Sequence, residues 1–326
     1  MYLEEMKFSL WADFIEREYL DNEFKELIAR GTINGATSNP AIFKNAILTS
    51  KAYKEQLASL DELSAKEKYE AVAIFDIQKA ADILYPLYEK GDDGYVSIEV
   101  DPFLCDDAEA TIAEGERLYK MIDRKNVMIK IPATDAGYKA MKVLSSQGIA
   151  VNATLIFSKQ QAISCAKAFA EGGATYGKKV DSVISVFVSR IDRALDAKLV
   201  EHGITQALTG IYNSADIYAE IEAMQVEGCR VLFASTGVKD DALATDYYIE
   251  NLLAYNSVNT APIDTIKAFE KNNTTKNALP IDAQKIEQHF KKIAEVGVDF
   301  DALLQTQIDD GLEQFKDAFK EILEAL

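Results

Sequence analysis

The chain has 326 residues, of which 48% are hydrophobic, and this length can bury a large core in one domain or in two. Its formal net charge of −18 argues against nucleic acid or an anionic membrane as a partner, so any phosphate site must be built from local basic residues. Three separated cysteines and two histidines leave little material for a disulfide framework, a zinc site or a Ser-His-Asp triad.

Short apolar runs alternate with longer amphipathic stretches along the chain. The strand-length runs are residues 8–12, 33–36, 95–100, 127–131, 150–155, 182–188, 230–235 and 257–260. Helical patterns lie between them, at residues 106–122, 138–145, 159–171, 190–202, 214–227 and 242–248. This alternation places the chain in the α/β class and predicts a (β/α)₈ TIM barrel, formed by a single domain over residues 1–326.

Two stretches are longer than the barrel needs. The second connection, residues 40–94, carries several helical segments, among them residues 65–88. The tail, about residues 282–326, has apolar residues near helical spacing. We expect both to form additional helices packed on the outside of the barrel, and the tail is also a surface on which a homodimer could form.

The amino-terminal segment is acidic and lacks the charged and apolar regions of a signal peptide. No apolar run approaches the ~18–20 residues that are needed to span a bilayer. These patterns predict a cytoplasmic protein that has no membrane partner.

Lys130 stands within the fourth apolar run, VMIKIPAT at residues 127–134, which is too short for a helix and is cut by a proline. Alternation along a strand would point this cation into the core. A buried ammonium is costly unless it is paired or loses its proton. Lys130 is therefore either a salt-bridged or snorkelling lysine at a strand end, or a neutral nucleophile.

Polar residues also end or follow the other apolar runs, and the active site of such a barrel lies at the carboxyl ends of its strands. In chain order these residues are Asp13, Thr37, Ser38, Asn39, Glu99, Asp101, Lys130, Asn152, Thr154, Ser185, Arg190, Ser235, Thr236 and Lys239. Each could be a cap or turn residue on its own. Because they come from seven of the eight predicted strands, we expect one polar site at the mouth of the barrel.

A neutral lysine beside carboxylates suits covalent chemistry on a carbonyl, because the amine forms a Schiff base that then acts as an electron sink. Asp13 or Glu99 can move protons, and amide side chains can hold substrate hydroxyls. Arg190 and Lys239, each in or near the first turn after a strand, suit a phosphate by their charge and geometry.

With these segments the chain resembles the transaldolase family from end to end, from SLWAD at residues 9–13 to NSVNTAP at residues 256–262. The most specific segments are TSNPAIF at 37–43, SIEVD at 97–101, MIKIPAT at 128–134, VNATLIFS at 151–158 and ISVFVSR at 184–190. The resemblance implies transfer of a dihydroxyacetone unit between sugar phosphates without a metal or an organic cofactor. The implied donors are fructose 6-phosphate and sedoheptulose 7-phosphate, and the implied acceptors are glyceraldehyde 3-phosphate and erythrose 4-phosphate, in the non-oxidative pentose phosphate pathway.

The resemblance also implies a role for each matching residue. Lys130 corresponds to the Schiff-base lysine, and Asp13 to the acid/base that takes the proton of the substrate's C4 hydroxyl. Glu99 and Thr154 correspond to the pair that positions a catalytic water. The implied substrate-binding residues are Asn39, Asn152 and Ser185, which orient the substrate, and Arg190 and Ser235, which bind its phosphate.

One departure concerns the phosphate site. Some transaldolases place an arginine two positions after the serine that follows strand seven, and this chain has Gly237 there. The sequence continues to Lys239, which is our candidate for the missing cation.

Two alternatives are open at this point. Fructose-6-phosphate aldolases release dihydroxyacetone to water; they are shorter and generally carry glutamine where Glu99 stands and tyrosine where Phe187 stands. Both residues here favour transaldolase, and Phe187 is predicted to belong to the substrate site. A non-catalytic barrel that binds sugar phosphates or a protein partner is disfavoured, because a site that only binds needs neither a neutral buried lysine nor two proton carriers.

Overall fold

Eight parallel strands close into a barrel in the computed structural model, which describes residues 2–239 and 242–326. The strands are β1 (Ser9–Ala12), β2 (Gly35–Thr37), β3 (Tyr95–Glu99), β4 (Val127–Pro132), β5 (Val151–Ile156), β6 (Ser182–Phe187), β7 (Cys229–Ala234) and β8 (Val258–Ala261). They pair in chain order, and β8 pairs with β1 to close the sheet. The predicted (β/α)₈ TIM barrel is confirmed, and each predicted strand overlaps an observed one within the described residues.

Helices connect the strands and surround the barrel. They are α1 (Arg17–Asp21), α2 (Glu23–Ala29), α3 (Pro40–Thr49), α4 (Lys54–Ala58), α5 (Ala65–Glu89), α6 (Ala108–Ile122), α7 (Asp135–Ser146), α8 (Lys159–Tyr176), α9 (Ser189–Glu201), α10 (Thr209–Met224), α11 (Tyr247–Asn251), α12 (Ile263–Asn272), α13 (Ala283–Glu295) and α14 (Phe300–Ala325). The additional helices predicted in the β2–β3 connection and in the tail are α3, α4 and α5, and α13 and α14. No helix of the part described here combines the length and the apolar character needed to cross a membrane.

The structure differs from the predicted helices at several points. The sequence patterns do not predict α1, α2 or α12, and the first two have only five and seven residues, too few for a hydrophobic period to be read. The helix predicted at 242–248 begins later, at Tyr247. The helix predicted at 214–227 begins at Thr209 and ends at Met224, because Gln225 takes a left-handed conformation with φ 48°.

Large side chains fill the amino-terminal part of the barrel interior. Trp11 is fully buried there, and a Cβ at Gly35 would lie 2.6 Å from its ring, so glycine is needed for the two strands to pack. Trp11 Nε1 donates a hydrogen bond to Asp93 at 2.9 Å, and Asp93 also pairs with Arg230 at 2.6 Å. These side chains occupy the barrel interior at the amino-terminal ends of the strands.

The tail helices pack against the barrel's outer helices. α13 contacts α10, and α14 contacts α3, α5, β5 and α9. Phe319 of α14 packs its ring edge-to-face against Tyr69 of α5, with centroids 5.1 Å apart. These contacts bring α14 to the carboxyl ends of the strands, where the predicted site residues lie.

Candidate active site

A cavity of about 110 Å³ opens at the carboxyl ends of the strands. Its lining side chains are Asp13, Thr37, Asn39, Lys130, Asn152, Thr154, Ser185, Phe187, Arg190, Ala234, Ser235, Thr260 and Phe315. A larger cavity, of about 610 Å³, lies at the opposite end, beside Tyr95 and Cys229, which begin β3 and β7. The chemistry predicted from the sequence is concentrated in the smaller cavity.

The smaller cavity brings together the residues with a predicted catalytic or substrate-binding role, with two exceptions. Glu99 does not line it but lies directly behind Lys130. Lys239 is exposed and lies outside the lining, so its role in binding phosphate stays a prediction. Three other predicted strand-end residues, Ser38, Asp101 and Thr236, are also outside the lining. Asp101 pairs with Lys66 at 2.7 Å.

Lys130 lies within β4, is only 5% exposed, and contributes to the cavity wall. The strand register places it between Glu99 of β3 and Asn152 of β5. Its Nζ donates a hydrogen bond to the Ser38 carbonyl at 3.0 Å and lies 3.4 Å from Glu99 Oε2. Lys130 is thus ion-paired, as one reading of the sequence predicts, and its partner is a carboxylate that can accept its proton.

Glu99 is almost completely buried beside this lysine. Burial raises the pKa of Glu99 to about 7; the Lys130 ammonium opposes this rise, and Asp13 adds to it. Neither carboxylate oxygen accepts a hydrogen bond from another described residue. A carboxyl group whose pKa is near neutrality can both take up and release a proton under physiological conditions.

The raised pKa of Glu99 predicts a specific pH dependence of stability. Because the folded protein binds this proton more tightly than the unfolded chain, whose glutamate has a pKa near 4.5, Glu99 contributes stability below pH 4.5 that is lost as the pH rises to about 7. Relative to Glu99→Gln, we expect wild type to lose up to about 3 kcal/mol of unfolding free energy across this range. Urea unfolding of both proteins from pH 4.5 to 8 measures the difference.

The comparison isolates Glu99, because other buried acids remain in both proteins. Asp192, for example, also has its pKa raised to about 7 by burial, and its contribution cancels in the difference. Parallel curves of stability against pH for wild type and Glu99→Gln would show that Glu99 does not titrate near neutrality.

Asp13 is the second carboxyl group of the site. Its backbone N–H donates to the Ala261 carbonyl of β8 at 2.9 Å, which fixes it at the end of β1. Thr37 Oγ1 donates to Asp13 Oδ1 at 2.8 Å and lies 2.9 Å from Thr260 Oγ1. Burial raises the pKa of Asp13, opposed by Lys130 and by the Thr37 hydrogen bond. The cavity therefore contains a second group that is able to hold a proton.

Hydrogen bonds between side chains orient the amides of the cavity. Ser185 Oγ donates to Asn152 Oδ1 at 2.6 Å, and Asn152 Nδ2 donates to Ser97 Oγ at 3.0 Å. Asn39 caps the amino terminus of α3, where its Oδ1 accepts from the Ile42 N–H at 3.0 Å. The amides are held in fixed orientations at the cavity, which is what selective recognition of substrate hydroxyls requires.

Thr154 lies at an irregularity in β5. The register with β6 shifts between Ala153 and Ile156, and Leu155 takes a left-handed conformation with φ 58°. Such a bulge re-aims the neighbouring side chains. Thr154 Oγ1 is buried and has no hydrogen-bond partner among the described residues, so it is available to a ligand or a water molecule.

Arg190 and Ser235 form a group suited to an anion. Arg190 lies in the first turn of α9, and its guanidinium carbon is 5.1 Å from the centre of the Phe187 ring. Ser235 has φ 55°, a strained conformation that often marks a functional position, and its Oγ lies 3.1 Å from Ser189 Oγ. A guanidinium, two hydroxyls and a helix amino terminus together match the oxygens of a phosphate.

Phe315 belongs to the site although no sequence pattern predicts it there. Phe315 lines the cavity, and its ring centre lies 5.7 Å from Lys130 Nζ. In the sequence it is one of several apolar residues at helical spacing in the tail, and that pattern indicates only a buried helix face. No local signal distinguishes it from Phe319, its neighbour on that face.

The whole chain is similar to known proteins. The sequence model of the family described as Transaldolase/Fructose-6-phosphate aldolase matches residues 10–326. A transaldolase of Campylobacter jejuni strain RM1221 is 47% identical over 342 aligned residues, which cover 98% of this chain and 99% of that protein. A transaldolase of Helicobacter pylori strain Shi470 is 42% identical over 318 aligned residues, which cover 97% and 98%. The chain therefore belongs to the transaldolase/fructose-6-phosphate aldolase family.

Proposed function

We propose that the protein is a transaldolase, a transferase that moves a dihydroxyacetone unit from a ketose phosphate to an aldose phosphate through a Schiff base on Lys130. The observation that carries this proposal is a buried lysine amine at the wall of a polar cavity, 3.4 Å from the Glu99 carboxylate. Two relatives that are both named transaldolase support the same activity. The proposed donors are fructose 6-phosphate and sedoheptulose 7-phosphate.

In the first step, Lys130 adds to the C2 ketone of the donor. Its amine must first lose a proton, and Glu99, whose pKa is near 7, can accept it. The resulting carbinolamine loses its hydroxyl as water and becomes a protonated imine. Glu99 and Thr154 both have buried oxygens that make no hydrogen bond with another described residue, which suits a water molecule that carries protons for this step.

In the second step, Asp13 takes the proton of the C4 hydroxyl. The C3–C4 bond breaks, its electron pair passes into the protonated imine to form an enamine, and C4 becomes the aldehyde carbon of the departing aldose phosphate. The raised pKa of Asp13 suits a group that must keep this proton until the enamine adds to the acceptor aldehyde.

In the last step, C3 of the enamine attacks the aldehyde of the acceptor, such as erythrose 4-phosphate, and Asp13 returns its proton to the new hydroxyl. Hydrolysis of the imine frees Lys130.

The remaining site residues bind the substrate. Asn39, Asn152 and Ser185 hold its hydroxyls, and Phe187 forms part of the cavity wall. Arg190 and Ser235 bind its phosphate, and Lys239 is the candidate for a further cation.

Arg190→Ala is expected to raise KM for fructose 6-phosphate by about 10- to 100-fold with a smaller change in kcat, since it removes a charge that binds the phosphate in ground and transition state alike. Cleavage of unphosphorylated fructose should change little. Arg193→Ala, on the exposed face of the same helix, is the matched control. Steady-state kinetics with both ketoses test this assignment, and an equal loss for the two substrates would contradict it.

A second test separates transaldolase from fructose-6-phosphate aldolase, the other activity in the family's description. With fructose 6-phosphate and erythrose 4-phosphate, the transaldolase proposal predicts sedoheptulose 7-phosphate and little free dihydroxyacetone. Stoichiometric dihydroxyacetone, unaffected by the acceptor, would instead identify an aldolase. Glu99 and Phe187 favour the first result.

We also propose that the chain works as a single catalytic domain in the cytoplasm, without a metal or an organic cofactor. Phe315 of the tail and side chains of the barrel line the same cavity, which supports one functional unit. The imine on Lys130 supplies the electron sink that the bond cleavage needs.

A further inference from the structure

Phe315 is the cavity-lining side chain that the tail contributes, and it lies next to the reactive lysine. We propose that Phe315 decides whether the dihydroxyacetone held on Lys130 is transferred to an aldehyde or released to water. This inference rests on the proposed Schiff-base chemistry and concerns the step that follows carbon–carbon cleavage.

The position of Phe315 is set by contacts on both sides of it along α14. Towards the carboxyl end, Phe319 packs against Tyr69, and Lys44 pairs with Glu321 at 2.9 Å. These contacts hold the helix against α3 and α5, outside the cavity. Contacts that lie outside the cavity therefore fix the position of the Phe315 ring.

Towards the amino end, Gly311 lets α14 approach the barrel closely. A Cβ at this position would lie 2.9 Å from Leu155 Cδ2 and 3.6 Å from Arg190 Nη1. Residues four apart lie on one face of a helix. Because Gly311 packs against Leu155, Phe315 on the same face of α14 points towards the cavity. The helix thus rests directly on the irregular part of β5 and beside the arginine proposed to bind phosphate.

The ring lies where it can control water at the imine. Its centre is 5.7 Å from Lys130 Nζ, within the range of a cation–π contact. The same nitrogen becomes that of the protonated imine, so the ring lies beside the cation that water must attack. The Lys130 side chain and this ring line the same cavity. A large apolar ring in its wall therefore restricts the approach of water to C2.

Release and transfer compete for the same enamine. Release requires a proton at C3 and the addition of one water at C2, after which the C2–N bond breaks to give dihydroxyacetone and the free amine of Lys130. Transfer instead forms a bond between C3 and the acceptor aldehyde before the imine is hydrolysed. Limiting water at this stage favours transfer and leaves the preceding cleavage unchanged.

The test compares Phe315→Leu and Phe315→Ala with Phe319→Leu, a matched change one turn further along the same helix. The measured quantity is the ratio of free dihydroxyacetone to sedoheptulose 7-phosphate formed from fructose 6-phosphate and erythrose 4-phosphate. We expect Phe315→Leu to raise this ratio about tenfold, a factor comparable to the loss of one aromatic contact with a cation. Phe319→Leu should lower thermal stability and leave the ratio unchanged, because Gly311 and the Lys44–Glu321 pair still hold α14 against the barrel.

An unchanged ratio in Phe315→Leu would overturn the proposal, and so would an equal rise in Phe319→Leu, which would point to general loosening of α14. Should the alanine variant fail to fold, the leucine variant decides the question. The proposed function fails in a different way: wild type would then form no borohydride-trapped adduct on Lys130, and this result does not depend on any Phe315 variant.

Discussion

Lys130→Ala is expected to lower transaldolase turnover by about 10⁴-fold or more, because the variant lacks the nucleophile on which every covalent step depends. Tighter substrate binding cannot compensate for the loss of this lysine, because neither the imine nor the enamine can form without it. Coupled assays of fructose 6-phosphate conversion with erythrose 4-phosphate measure the loss. Lys125→Ala, a change at an exposed lysine just before β4, should keep wild-type activity.

The Lys130 variant should nevertheless fold. Removing the ammonium takes away the nearby charge that opposes the rise in the pKa of Glu99, so that Glu99 is buried as a neutral acid at pH 7 rather than as an isolated carboxylate. Circular dichroism and a cooperative thermal transition check this expectation. Turnover within tenfold of wild type, in a folded Lys130→Ala protein, would rule out the Schiff-base mechanism.

Asp13→Asn is expected to lower kcat by about 10²- to 10⁴-fold, the usual contribution of a positioned acid/base, while imine formation continues. The amide keeps the shape of the side chain and can still accept the hydrogen bond from Thr37, but it cannot take the C4 hydroxyl proton. Borohydride reduction with fructose 6-phosphate should therefore trap the uncleaved six-carbon ketose on Lys130 instead of the three-carbon fragment. Intact-protein mass spectrometry distinguishes the two adducts.

The control for this prediction is Asp21→Asn, which changes an exposed carboxylate paired with Lys25 and Lys79. It should give the three-carbon adduct at the wild-type rate. Formation of that adduct at the same rate in Asp13→Asn would mean that another group, such as Glu99, removes the C4 proton.

The barrel could be predicted from the sequence because its strands are buried on both faces and read as short apolar runs. The site could be predicted for a related reason: Lys130 and Asn152 interrupt those runs, and parallel strands bring their carboxyl ends to one mouth. The same logic does not separate Asp101 from Glu99. Glu99 is the last residue of β3 and Asp101 follows two positions later, yet Asp101 pairs with Lys66 outside the cavity, whereas Glu99 pairs with Lys130.

Features that depend on contacts distant in sequence could not be predicted. Phe315 meets Lys130 because α14 returns to the barrel mouth, and its spacing in the sequence is that of any buried helix residue. The raised pKa of Glu99 is set by burial between strands and helices, which no local pattern reports. Lys239 follows β7 in the sequence, and its side chain is exposed outside the cavity lining, so its contact with a phosphate stays a prediction.

The central claim, that Lys130 carries a dihydroxyacetone unit, is tested most directly by borohydride trapping with fructose 6-phosphate followed by peptide mass spectrometry. We predict a reduced three-carbon adduct on the peptide that contains Lys130, which disappears when erythrose 4-phosphate is added before the reductant. Folded wild-type protein that gives no adduct on Lys130, or gives it on another lysine, would contradict the proposed mechanism.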